Sequence, residues 1–166
     1  MKTQSKKKNQ RISLYRVCLE KDRDLMQLRR MESIATPEQI IEILAPVFKR
    51  VDREQVVVLY LNTQSHPIGV EIVAVGTTYT CNIEIKNIFK GAILANAVAI
   101  VVAHNHPSGV SKPSNRDLSL TRQIAWAGEI LGIRLMDHVI IGEEEFYSMK
   151  KENPGVPLID IGLDED

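Results

Sequence analysis

The stretch AVAIVVAHNHPSGVSKPSNRD, residues 97–117, decides how the chain is read. Residues 97–103 are an unbroken run of small and β-branched apolar side chains, the pattern of a strand covered on both faces. The run breaks at His104 into a loop rich in proline, glycine and serine. Ser114 then opens a capped helix whose apolar spacing, Leu120, Ile124, Ala127 and Leu131, predicts the buried stripe, with Gly132 as its stop. Residues two apart in extended backbone point the same way, so His104 and His106 can aim both imidazoles at one point as the strand ends. A loop that doubles back brings the Asp117 carboxylate, in the first turn of the helix, beside the two rings. Two nitrogens and one oxygen leave a fourth tetrahedral position for water, the open arrangement of a catalytic zinc. Taken singly, paired histidines in a loop are ordinary surface residues, and Ser114-x-x-Asp117 is a capping box. Stability alone does not ask for strand, His-x-His, turn and Ser-x-x-Asp in succession.

Outward from this stretch, the helix–strand alternation continues in both directions. Toward the N-terminus, residues 83–96 carry helical spacing through Ile85, Ile88, Phe89, Ala92 and Ala95. Residues 55–61 and 69–76 are β-branched runs joined by the polar segment 62–67, which predicts an antiparallel hairpin. Before them Thr36-Pro37-Glu38-Gln39 supplies an N-cap, a first-turn proline and a capping-box glutamine, with the helix bent or ended near Pro46. Residues 11–20 (RISLYRVCLE) read as an opening strand, and residues 133–141 as a closing one. Helices and strands that alternate without a strict βαβ rhythm predict an α/β fold, a three-layer α-β-α sandwich around a mixed β-sheet.

Composition sets the outer limits. A chain of 166 residues, 44% hydrophobic and 25% charged, is long enough for one sizeable core. Lys plus Arg and Asp plus Glu both number 21, so no overall charge draws the protein to nucleic acid or anionic membrane. Lys2, Lys6, Lys7, Lys8 and Arg11 crowd one end, and Asp160, Asp164, Glu165 and Asp166 the other. Terminal runs of this kind are ordinarily solvated ends. The organisation expected is therefore a basic arm over residues 1–10, a domain over 11–152, and an acidic tail over 153–166 that starts at Asn153-Pro154-Gly155. No stretch has the length of a membrane span or the form of a signal peptide, and a cytoplasmic location is expected. Cys18 and Cys81 form no CxxC pair and are read as buried small side chains. Trp126 and Met136 are expected in the core, and His66 in a solvated turn.

The string His104-x-His106, seven residues, Ser114, two residues, Asp117 resembles the JAMM (MPN+) metalloprotease signature position for position. HNHPSG followed by PSNRD resembles the RadC-like branch in particular, as do GVEIVAVGT at 69–77 and LGIRLMDHVIIG at 131–142. The resemblance implies the JAB/MPN, cytidine-deaminase-like fold and a zinc ion held by His104, His106 and Asp117. It also implies hydrolysis of a peptide or isopeptide bond by a zinc-activated water. Glu54, just before the hairpin, is by this resemblance the general acid and base, and Ser114 the hydroxyl that steadies the oxyanion; spacing alone makes Glu54 a solvated strand-edge carboxylate. Asn105, between the ligands, should point the opposite way in a structural role, and His138 is expected to be a hydrogen-bonded structural residue. RadC-like proteins commonly carry an N-terminal helical DNA-binding region, for which these residues leave no room. They also carry a proline-arginine-glutamate string where this chain has Glu84-Ile85-Lys86-Asn87. The competing expectation is a DNA-repair accessory protein that binds DNA through the basic arm without peptidase activity; salt-dependent DNA binding indifferent to His104 separates the two. The protein substrate and the oligomeric state are not readable.

Overall fold

The computed structural model describes residues 33–49, 51–76 and 83–162. The expected opening strand, the basic arm and both cysteines lie outside those residues. In chain order the elements are α1 (Pro37–Phe48), β1 (Gln55–Leu61), β2 (Pro67–Val75), α2 (Ile85–Leu94), β3 (Ala99–Asn105), α3 (Asn115–Leu131), β4 (Arg134–Ile141), β5 (Phe146–Ser148) and the single turn α4 (Met149–Glu152). The strands form one mixed sheet in the order β2-β1-β3-β4-β5, antiparallel except for β3 and β4, which run parallel and are joined by α3.

Strand alternation sorts the apolar residues into two layers. Val56, Val58, Tyr60, Ile100, Val102 and Leu135 face α2 and α3, where Ile88, Phe89, Ala92, Ile124 and Ala125 meet them. Val57, Leu59, Leu61, Val101, Ala103 and Val139 face α1, which returns Ile40, Ile43 and Leu44. Every residue of β3 is buried, as its unbroken apolar run demands. The three-layer arrangement expected from the sequence is the one observed.

The local signals of α1 hold: Thr36 Oγ accepts from the Gln39 amide while the Gln39 side chain accepts from Thr36 N–H. Pro46 falls in the last turn of that helix, which ends two residues later at Phe48; its missing N–H removes one i→i−4 bond, and the helix closes soon after, near Pro46 as expected. α3 starts at its Ser114 cap and stops at Gly132, whose φ of 68° is the left-handed conformation glycine accepts freely.

Two expectations about packing are corrected. The buried face of α3 is Asp117, Thr121, Ile124, Ala125 and Gly128; Leu120 and Ala127 only flank it, and Leu131 is exposed. Helix and sheet approach so closely that a Cβ at Gly128 would lie 2.5 Å from the Ile133 carbonyl oxygen. That tight seam takes small and polar side chains and turns the bulky ones outward, leaving Trp126 62% exposed instead of in the core. The compact body also extends past Asn153-Pro154. Ile161 is fully buried with Ile140 and Met149, and its carbonyl accepts from Arg122 at 2.6 Å, because apolar residues among the tail's acids have a cleft to fill.

Between α2 and the hairpin, Gly91 lies against the Tyr60 hydroxyl, which donates to the Glu71 carboxylate. A methyl group at residue 91 would occupy the same space as both oxygens. Gly91→Ala should therefore destabilise the fold by about 1–3 kcal/mol through overpacking, read as a lower denaturation midpoint at constant slope.

Candidate metal centre

The site forms where β3 runs out of the sheet. His104 follows Ile100 and Val102 onto the face covered by α2 and α3, and is 1% exposed. His106, two residues on, is fixed by its Nδ1, 2.7 Å from the Val110 carbonyl, and by its amide, which donates to Ile141 O at 3.0 Å. A carbonyl can only accept, so Nδ1 carries the proton and Nε2 presents a lone pair. The loop closes through Gly109, whose φ of 79° needs glycine, and the α3 N-terminus brings Asp117 alongside.

A chain of buried hydrogen bonds sets the tautomer of His104. Thr121 Oγ1 donates to the Asp117 carbonyl at 2.7 Å and lies 2.6 Å from His138 Nδ1. Its single hydrogen is committed to that carbonyl, so His138 Nδ1–H must donate to it. His138 Nε2 then accepts from His104 Nδ1–H at 2.9 Å, leaving the lone pair on His104 Nε2. Burial pushes the His138 imidazole down to about 3, with the nearby His104 and His106 rings adding to the shift and Asp117 opposing it. It therefore stays neutral, as this role requires.

The two Nε2 atoms stand 3.0 Å apart, and Asp117 Oδ1 lies 3.3 Å from that of His104 and Oδ2 3.5 Å from that of His106. The ligand atoms of His104, His106 and Asp117 all fall within 4.8 Å of one another, so this trio could hold a metal ion. Two ring lone pairs and a carboxylate converging in a largely buried space need a cation between them. The donor set, two imidazoles and one carboxylate, fits zinc. Without a metal, a proton on His106 serves: hydrogen bonding to Asp117 raises its pKa against the pull of burial, helped by the Val110 carbonyl and the Glu54 charge. Burial works against the Asp117 carboxylate, yet the neighbouring His104 and His106 rings and the bonds from Ser114 hold its pKa far below the ordinary range.

Ser114 grips Asp117 Oδ2 twice, by its amide at 2.7 Å and its hydroxyl at 2.6 Å, and receives the Asp117 amide at 3.2 Å. The capping box and the candidate ligand are thus one device: the cap anchors one oxygen and leaves Oδ1 toward His104. Glu54 precedes β1, where Val56 pairs with His104. Extending that antiparallel register by two residues sets Glu54 opposite His106, on the ligands' face.

His138 is structural in a way that spacing did not show. In the β3–β4 ladder Ile100 pairs with Leu135 and Val101 with Asp137, so Met136 is a one-residue bulge. The bulge switches parity: Leu135 and His138 share the α3 face, while Asp137 turns to the other side. There Ser148 Oγ donates to it at 2.6 Å and the Lys150 amide at 3.1 Å. Nothing in MDHV announces the extra residue.

Two outcomes follow. Thr121→Val removes the acceptor of His138 Nδ1–H with little change of shape, and should weaken zinc binding by about 10–100-fold in competition with a chromophoric chelator. In the metal-free fold the raised His106 contributes stability fully present below its unfolded pKa of ~6.5 and lost as pH rises through its folded value. The lowered Asp117 contributes above its ordinary value and loses that only as pH falls through its folded one. A cation must displace the His106 proton, so apparent zinc affinity should fall by about tenfold per pH unit below the raised His106 value.

Comparison with known proteins agrees with this geometry. A family model described as "RadC-like JAB domain" matches residues 34–154. A UPF0758 protein of Desulforudis audaxviator is 40% identical over 120 residues, covering 72% of this chain and 52% of the relative. One from Carboxydothermus hydrogenoformans is 42% identical over 116 residues, 70% of this chain and 51% of the relative. The chain thus spans about half the length of the curated relatives it matches. The protein belongs to the RadC-like JAB domain family.

Proposed function

We propose that this domain is a zinc-dependent metallopeptidase that cleaves a peptide or isopeptide bond. The observation carrying this reading is the set of fixed tautomers: both imidazoles offer Nε2 lone pairs to one small space beside Asp117 Oδ1; the β1–β3 register, continued by two residues, supports Glu54 on the same face. A structural zinc site would close with four protein ligands; three leave a position for chemistry.

Held by His104, His106 and Asp117, zinc would supply Lewis acidity, which lowers the pKa of water from 15.7 to about 7 and polarises a carbonyl. The chain's own residues do the rest. His106 is 19% exposed against 1% for His104, so substrate reaches the centre from the His106 and Asp117 side. Glu54 takes a proton from the attacking water and delivers it to the leaving nitrogen, so that one carboxylate is base and then acid. Ser114 is the hydroxyl for the developing oxyanion, a role for which its hydrogen must swing away from Asp117 Oδ2. His138 and Thr121 keep His104 in the tautomer that binds metal.

The test joins metal content to proteolysis. Purified protein should hold about one zinc per chain and cleave members of a quenched peptide and isopeptide library. Glu54→Gln should keep the zinc and lose about 10²–10⁴-fold in rate, while His104→Ala/His106→Ala should lose both. Protein that takes up no zinc when it is supplied defeats the reading and favours a DNA-associated role for the domain.

A further inference from the structure

The residue between the two histidine ligands does more than separate them. β1 begins at Gln55 and β3 ends at Asn105, and one step beyond the Val56–His104 pair the antiparallel register sets these two opposite each other. Asn105 is 9% exposed, and its side chain points away from the metal face. Its Oδ1 accepts from the Gln55 amide at 2.8 Å, and its Nδ2 donates to the Arg53 carbonyl at 2.9 Å. A carboxamide has the donor and acceptor pattern of a peptide group. Asn105 therefore adds one more rung to the sheet at the place where the strands part, and both of its bonds fall on the residues flanking Glu54. On the other side the Gly76 amide donates to Glu54 O at 2.7 Å, so the backbone at Glu54 is held from both neighbouring strands.

We propose that Asn105 is the positioning residue for Glu54, fixing the glutamate's backbone relative to the metal ligands on either side of itself. The inference rests on the hydrolase reading above and names a further part of the same site. Because Asn105 lies between His104 and His106, any movement of the ligand loop carries the clamp, and with it Glu54. A single side chain thus couples the position of the base to that of the ligands across a sequence separation of 50. The preceding β3 residue on that face, Ala103, is apolar and packs in the core layer under α1.

Acetohydroxamate tests this without a known substrate, since a zinc-chelating hydroxamate also needs a partner for its own polar hydrogen, the place of Glu54 in the proposed site. Its affinity is measured for zinc-loaded wild type, Glu54→Gln, Asn105→Leu, Asn105→Asp and the Glu54→Gln/Asn105→Leu double variant, beside zinc content and thermal melts. Glu54→Gln should weaken the hydroxamate by roughly 10–100-fold, the loss of one charge-assisted hydrogen bond. Asn105→Leu should weaken it comparably with zinc retained, and the double variant should be no weaker than Glu54→Gln alone, because both changes act through one carboxylate. Asn105→Asp keeps the side chain's size and the bond from Gln55 but repels the Arg53 carbonyl, and should weaken binding in the same direction. Full affinity in the Asn105 variants while Glu54→Gln binds weakly would overturn the positioning role and leave the hydrolase reading intact. So would additive losses in the double variant, or failure of both Asn105 variants to fold with zinc. An undiminished Glu54→Gln would remove the base itself and the proposal with it, and a wild type without zinc would end the hydrolase reading.

Discussion

The hydrogen bond from His104 to His138 is the contact on which the site and much of the fold depend. His104 is buried at the end of the most enclosed strand, where an unpaired ring N–H would cost about 1–3 kcal/mol and would leave the tautomer undetermined. His138 answers that need from β4, and Thr121 answers His138 from α3. One short chain of polar groups therefore ties together the two parallel strands and the helix that connects them. It is also a device with little tolerance: each member has one hydrogen and one acceptor to place, and reversing any bond leaves a buried group without a partner.

Around that chain the apolar core plays a supporting part. The layers on either side of the sheet fix the height at which α3 passes over β3 and β4, and the narrow seam at Gly128 sets how closely it does so. Only with the helix at that height does the Asp117 cap fall beside the two imidazoles. The same Ser114 that begins the helix holds the far oxygen of Asp117, so the placement of the helix and the aiming of the ligand are one event.

The features legible in the sequence were those with local causes. Helix caps at Thr36 and Ser114, the stop at Gly132, the hairpin and the His-x-His alternation all follow from a few neighbouring residues, and each is observed. What was not legible depends on how distant elements meet. The bulge at Met136 decides which of Asp137 and His138 faces the ligands, and β-branched spacing reads the same with or without it. The partners of Asn105 lie on another strand, and could be named only once the register was known. Trp126 and Leu131 were misplaced because apolar spacing on α3 cannot show that the sheet prefers its small and polar side. Glu54 illustrates the limit most plainly: the residue is unremarkable locally and acquires its place from the register of β1 on β3.

The residues that could hold a metal ion and their supporting partners, His104, His106, Asp117, Thr121 and His138, all belong to the one crossover formed by β3, α3 and β4 with the loop after β3, whereas Glu54 lies just before a hairpin made earlier in the chain. During synthesis from the N-terminus the hairpin emerges first, and the crossover cannot close until β4 has left the ribosome. The centre therefore cannot mature on a nascent chain that stops short of β4. A truncated product would carry Glu54 and even both histidines, but it would lack His138, the residue that fixes the tautomer of His104. Order of emergence thus sets when the three residues that could hold a metal ion are completed: not before the strand that fixes the His104 tautomer has arrived.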